Sequence, residues 1–176
     1  MTVGVLLMAT VMSAWVSVAA AASPPPSTEV SGHHLTLQGH GTRSKFFFLD
    51  LYSVALYLPH PFSEPGGIWD ASVAKALRVE ILYPGSLPEN IPRSWKRDLL
   101  PALTPDQRNT LAWVYASLAT GDTIWVTYAP GAGTRFLVGA SVVLEDQGDA
   151  VMRAFLDLWA GKNAVSRKLR DALIRR

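Results

Sequence analysis

Residues 39–58 combine a permanent cation with apolar, aromatic runs, a pairing that suits ligand binding. Gly39 and Gly41 precede Arg43, and a run of phenylalanines and then Tyr52 follow it. A guanidinium stays protonated in proteins, so this order predicts a fixed positive charge beside a dry aromatic wall. Such a site suits an anionic group attached to an apolar body. We therefore expect Arg43 and Tyr52 to contact an amphipathic anion if the Arg43 side chain points inward.

These residues also have ordinary structural interpretations. Arg43 at a strand end would pair with Asp50 or Glu80 in water, an interaction that contributes little to stability. Tyr52 and Tyr83 would be core aromatics whose hydroxyl groups have a partner. The direction of the Arg43 side chain separates the two interpretations.

The sequence lacks the groupings that other chemistries need. It has no cysteine, which excludes disulfides, thiolate nucleophiles and cysteine-bound metals. His33 and His34 would point to opposite faces of a strand, so they do not easily share a metal ion. The glycines at 39–41 and 131–133 are not followed by the lysine-bearing helix start of a phosphate loop. We also find no nucleophile elbow, and we expect neither a metal nor a cofactor.

The N-terminal segment predicts export. Residues 3–22 are apolar, and the first charged side chain is Glu29. Three alanines at 20–22 precede Ser23, as at a signal peptidase site. The stretch is also about long enough to span a bilayer. We expect a cleaved signal peptide over residues 1–22 and a periplasmic or secreted protein. A retained anchor facing the periplasm is the main alternative, and cytoplasmic residence is the least favoured.

A single domain follows, with an uneven charge distribution. Residues 23–31 predict a linker, and residues 32–176 are the length of one domain. Residues 162–176 contain six cations and one aspartate in a chain of net charge +2. This is typical of a solvated terminal helix, with contact to anionic lipid or envelope protein as the alternative. No basic stripe interleaved with aromatics occurs elsewhere, so we expect no nucleic-acid partner. We expect a monomer.

The order of strand and helix patterns predicts an α+β fold. Pro92 should kink the first helix or delay its start to Asn90, and Gly39 and Gly41 mark a turn or bulge. The order favours one antiparallel sheet with helices packed on one face. Strands are expected over 34–38, 44–50, 51–58, 76–83, 123–129, 134–138 and 141–144, and helices over 86–100, 104–121, 147–159 and 166–176.

Several short motifs carry a family resemblance: Gly41-Thr42-Arg43, Phe46-Phe47-Phe48, Ser53-Val54-Ala55-Leu56-Tyr57-Leu58, the turn at 130–135 and Gly161-Lys162-Asn163-Ala164-Val165-Ser166. Together they resemble the chalcone isomerase superfamily, especially its exported bacterial chalcone-isomerase-like members. The resemblance spans about residues 35–176. It implies the chalcone-isomerase-like open-faced sandwich.

The resemblance also implies a set of site residues. In plant chalcone isomerases an arginine, a threonine, a tyrosine, an asparagine and a second threonine or serine line the cleft. The resemblance places Arg43 at the arginine, and Tyr83 and Asn90 at the tyrosine and asparagine. Tyr52 stands where threonine is expected, and Leu158 stands where the last hydroxyl is expected. It therefore implies a cleft formed by Arg43, Tyr52, Tyr83 and Asn90, although a helix cap is the favoured interpretation of Asn90.

The resemblance implies two activities. In a cofactor-independent isomerase (an intramolecular lyase), Arg43 would hold a substrate phenolate and Tyr83 would stabilise the enolate formed by ring closure. In a fatty-acid binder, Arg43 and a tyrosine would hold a carboxylate. The larger Tyr52 and the missing hydroxyl at Leu158 favour binding of a fatty acid, aromatic acid or phenol without efficient catalysis. An envelope module that uses the basic C-terminal helix is a third interpretation.

Overall fold

The computed structural model describes residues 23–46, 48–59, 67–85, 87 and 91–174. Within them, seven strands form one antiparallel sheet, and each strand pairs with its neighbours in sequence. Helices cover one face of this sheet, which confirms the predicted α+β sandwich. The strands are β1 Ser27–Val30, β2 His33–Lys45, β3 Leu49–Leu58, β4 Lys75–Ile81, β5 Thr123–Ala129, β6 Gly133–Val138 and β7 Ser141–Asp146, and the helices are α1 Arg93–Asp98, α2 Pro105–Ser117, α3 Ala150–Ala160 and α4 Arg167–Ile174.

The main core lies between the sheet and the helices because strand side chains alternate between faces. In β3, Val54, Leu56 and Leu58 face the helices. Ala55 and Tyr57 face the other side, where they join a smaller apolar cluster. Full burial of an aliphatic side chain contributes about 1.5–3 kcal/mol, so the helix-facing row holds β3 firmly in the middle of the molecule.

The helix starts follow local capping chemistry. Thr104 and Gln107 form a capping box at α2, with Gln107 N donating to Thr104 Oγ1 at 3.3 Å and Thr104 N donating to Gln107 Oε1 at 2.9 Å. At α4, Leu169 N donates to Ser166 Oγ at 3.2 Å. The first helix differs from its prediction, because α1 begins only after Pro92. Proline is compatible with a helix start but not with its interior.

The predicted strand over residues 44–50 is interrupted by the turn of a hairpin between Lys45 and Leu49. β2 ends at Lys45 and β3 begins at Leu49, and these two residues pair. Phe46 and Phe48 are 65% and 84% exposed, so they do not form the expected apolar wall. Aromatic residues favour strands, but the two flanking runs can pair as an antiparallel hairpin only if the chain reverses here. Phe47 lies outside the described residues.

Gly39 and Gly41 lie within β2 and not in a turn. A Cβ added at Gly39 would lie 2.6 Å from the Leu173 carbonyl oxygen, and one at Gly41 would lie 2.8 Å from the Ala172 Cβ. The glycines therefore allow α4 to pack directly on β2. The register shift between Leu37 and Gly39 confirms a bulge at this place. Ser27–Val30, which the sequence assigned to a linker, forms β1 and pairs with the start of β2.

Candidate functional site

Arg43 and Tyr52 face each other across the β2–β3 ladder. They are direct partners in the antiparallel register. Directly opposed residues point to the same side of a sheet. Tyr52 packs against the helix-facing core, so Arg43 also lies on the helix side. Both side chains are half-buried. The structure thus brings together the two residues expected from the sequence to contact an anion.

The Tyr52 hydroxyl is held by α3. Trp159 Nε1 donates a hydrogen bond to it at 3.2 Å, and the two rings lie 6.1 Å apart at their centroids. Because the hydroxyl oxygen accepts this bond, its own proton is left to be donated. Burial raises the pKa of Tyr52 above 10.0, although the Trp159 hydrogen bond and the charge of Arg43 act in the opposite direction. Tyr52 is therefore a neutral hydrogen-bond donor at physiological pH.

The carboxylates expected to neutralise Arg43 are engaged elsewhere. Asp50 accepts a hydrogen bond from Ser44 Oγ at 2.6 Å. Glu80 pairs with Arg78 at 3.0 Å, on the sheet face opposite the helices. Among the described residues, none forms an ion pair with Arg43. A half-buried guanidinium without a protein anion is suited to an external one, since charged hydrogen bonds are strong where water is scarce.

An aromatic cluster from three helices lies beneath Tyr52. Trp159 of α3 is 5.4 Å from Phe155 and 6.2 Å from Trp95 of α1, measured between ring centroids. Trp95 in turn lies 5.8 Å from Tyr115 of α2. None of these rings was among the site residues expected from the sequence. A helical spacing of apolar residues indicates that such rings are buried, but it does not say which strand residue a ring will meet.

The other predicted site residues are placed differently. Tyr83 follows β4, where its N–H donates to the Leu51 carbonyl at 3.0 Å and its carbonyl accepts from Thr120 Oγ1 at 2.6 Å. These contacts hold its main chain beside β3, but neither involves its hydroxyl. Leu158 is fully buried. The polar contact to Tyr52 comes instead from Trp159, the next residue along α3.

Two predictions concern parts of the chain that are not described. Asn90 and the proposed signal peptide over residues 1–22 both lie outside the described residues. Within the described ranges, no helix has both the length and the apolar character needed to cross a bilayer. The same ranges contain no group of three or more His, Asp or Glu residues arranged to hold a metal ion.

A second cation, Lys75, is fully enclosed in the fold. Its side chain is 1% exposed, and its Nζ donates to the carbonyls of Ile68 at 2.9 Å and Asp70 at 2.6 Å. It also lies 5.4 Å from the centroid of the Tyr128 ring. Burial lowers the pKa of Lys75 to about 8, against the opposing influence of Asp149 and Asp70. Lys75 thus ties the segment before β4 to the sheet, and two of its three N–H donors are used within the protein.

Comparison with known proteins agrees with this architecture. A family model described as chalcone isomerase-like matches residues 16–174. A crystal structure of a fatty-acid binding protein from Arabidopsis thaliana matches with a TM-score of 0.60 and 16% identity, covering 85% of this chain and 90% of that chain. At this identity the likeness shows a shared fold. No curated protein matches the sequence. The match over most of the chain shows that this protein belongs to the chalcone isomerase-like family.

Proposed function

We propose that this protein binds an amphipathic anion, a fatty acid or an aromatic acid, with its anionic group at Arg43. The observation that carries this proposal is the half-buried Arg43 side chain directly opposite Tyr52, with no ion pair to it among the described residues. A guanidinium can hold a carboxylate through two parallel hydrogen bonds. Tyr52 supplies a further donor because its hydroxyl proton is not used by Trp159.

The surroundings of this pair suit the apolar part of such a ligand. Tyr52 and Trp159 present aromatic rings next to the cation. Binding sites for small molecules commonly combine an apolar lining with a few convergent polar groups. An anion with an apolar body would satisfy Arg43 and cover these rings at the same time. A small inorganic anion would satisfy only the charge.

The comparisons support binding in a general way. The chain shares the fold of a fatty-acid binding protein. Binding is favoured over ring closure because Leu158 offers no hydroxyl and because Tyr52, in the position expected for a threonine, is already bonded to Trp159. The proposed binder needs no cofactor, and we expect it to act as a monomer.

Calorimetric titration with oleate and with cinnamate tests the proposal. We expect binding of at least one of them to weaken about tenfold or more in Arg43→Met, as for loss of a charged hydrogen bond. Arg135→Met is the matched control, since Arg135 is an exposed arginine paired with Glu145 on another part of the sheet. Equal affinities in the wild type and Arg43→Met would refute the proposed site.

The same variants test the isomerase alternative. A hydroxychalcone would be incubated with each protein while its absorbance is followed. We expect no rate above buffer. A rate in the wild type that disappears in Arg43→Met would show that the pair catalyses ring closure, and the binding proposal would have to be replaced.

We further propose that the protein is exported to the periplasm or beyond and that residues 1–22 are removed. Support comes from the apolar run and the alanines at its end. Mass spectrometry of the mature protein would detect a new N-terminus at about Ser23. A membrane-bound product that keeps Met1 would instead establish an anchor.

A further inference from the structure

The turn of the β2–β3 hairpin exposes large aromatic side chains at its end. We call Lys45, Phe46 and Phe48 the aromatic tip. The two phenylalanines are 65% and 84% exposed, and their rings lie 6.4 Å apart and nearly parallel. Single exposed apolar residues are common on proteins, but adjacent exposed rings form a patch that usually has a partner.

The fold does not need aromatic residues at this turn. Phe46 has a φ of +55°, in the left-handed region that residues with a Cβ rarely adopt. Glycine, asparagine or aspartate normally occupies such a position in a hairpin. The sequence places phenylalanine there and another exposed ring two residues later. Hairpin stability therefore does not explain these side chains.

A cation lies beside the first ring of the aromatic tip. Lys45 is exposed, and its Nζ lies 5.0 Å from the centroid of the Phe46 ring. The acidic residue next to the turn, Asp50, is hydrogen-bonded to Ser44 Oγ. An exposed aromatic pair with a neighbouring ammonium group is the combination that favours the interface of a bilayer, where rings enter the headgroup layer and cations meet anionic lipids.

Helix α4 adds positive charge at the same end of the molecule. Helix α4 runs antiparallel to β2, since Gly39 lies against Leu173 and Gly41 lies against Leu169. The start of α4 therefore points toward the aromatic tip. Arg167 and Lys168 are exposed at that start.

We propose that the aromatic tip inserts into the surface of an anionic lipid bilayer. Phe46 and Phe48 enter the interfacial layer, while Lys45 and the start of α4 contact anionic headgroups. A second copy of this chain is a poorer occupant, because it would bring the same cations together. A bilayer satisfies both the exposed rings and the positive charge.

The position of the tip gives this docking a consequence for the proposed function. Arg43 lies two residues before Lys45 on the same strand, so an anion leaving the bilayer along the hairpin would reach the guanidinium shortly after passing the tip. This consequence rests on the proposed ligand binding, whereas docking of the tip does not. Ligand titrations without vesicles therefore remain interpretable if docking fails.

A site-specific label tests insertion in the full chain. Because the sequence has no cysteine, Phe48→Cys can carry a single environment-sensitive fluorophore. We expect a blue shift and a rise in intensity of roughly threefold on adding phosphatidylglycerol-rich vesicles, with a much smaller change for pure phosphatidylcholine, because the cations meet anionic headgroups. Trp113→Cys, at a position 70% exposed on α2, is the matched control and should stay unchanged. This comparison separates insertion of the tip from any attachment through residues 1–22.

Charge reversal provides the second measurement. In the labelled protein, Lys45→Glu should raise the lipid concentration for half-maximal change about tenfold, because each cation near an anionic surface contributes to binding. Raising the salt concentration should act in the same direction. The proposal is overturned if vesicles leave the fluorescence of the label at position 48 unchanged, or if they change the fluorescence of the label at position 113 equally. A blue shift that appears without vesicles and grows with protein concentration would also overturn the proposal and would indicate self-association.

Discussion

Lys75 is a fully buried cation and Arg43 a half-buried one, and they also differ in what their donors contact. Lys75 donates to two main-chain carbonyls and lies over the Tyr128 ring. Arg43 faces a tyrosine and forms no ion pair among the described residues. A buried cation whose donors are used internally stabilises the fold, while one left without an anion is available to a ligand.

The strongest test of this difference compares their alanine variants. Lys75→Ala should lower the free energy of unfolding by about 3 kcal/mol, because it leaves a cavity and two buried carbonyls without donors. Arg43→Ala should change it by less than about 1 kcal/mol, as is usual away from such features. Urea denaturation measures both. Equal losses of stability would show that Arg43 is also structural.

The pH dependence of stability should identify Lys75. Burial lowers its pKa to about 8 from 10.5, so between these values the unfolded chain binds more protons than the folded one. The free energy of unfolding should therefore rise with pH from about 8 to 10, on the order of 2 kcal/mol. Above about 10 the tyrosines whose pKa is raised by burial reverse the trend, because the unfolded chain then loses protons first.

Denaturant titrations at several pH values would measure this slope. Lys75→Met keeps the apolar stem but cannot titrate, so its stability should stay flat between pH 8 and 10. If the free energy of unfolding of the wild type does not rise between pH 8 and 10, the fold does not lower the pKa of Lys75.

Trp159→Phe tests how Tyr52 is held beside Arg43. The change keeps a ring in the aromatic cluster but removes the donor to the Tyr52 hydroxyl. We expect a loss of about 1 kcal/mol in stability and a higher pKa for Tyr52, since that hydrogen bond lowers it. Spectrophotometric titration of the phenols measures the second effect. No change in any tyrosine pKa would exclude this contact.

Tyr52→Phe should produce the smallest effect. If Tyr52 supplies a second donor to an anion held by Arg43, the affinity for the ligand should fall about three- to tenfold, the loss of one neutral hydrogen bond. Tyr57→Phe is the matched control, because Tyr57 lies on the opposite sheet face. Calorimetry that gives equal affinities for the wild type and Tyr52→Phe would leave Arg43 as the sole polar contact.

Local sequence signals determined much of the fold. The strands predicted over 76–83 and 123–129 correspond to β4 and β5, and the helix predicted from residue 104 corresponds to α2, for which Thr104 is the N-cap. These patterns act over a few residues, so they can be recognised without knowing the rest of the structure. The same signals failed at residues 44–50, where a run of strand-forming residues contains a turn.

The order of the elements could be read from the sequence, as could the family resemblance that the family match confirms. The folded molecule was needed to see that Arg43 faces Tyr52, that Trp159 bonds to that tyrosine, and that Lys75 is enclosed. Strand register and helix docking depend on contacts between residues far apart in the chain, such as Tyr52 with Trp159. Periodicity fixes which face a side chain occupies, but it cannot fix which distant partner meets it there.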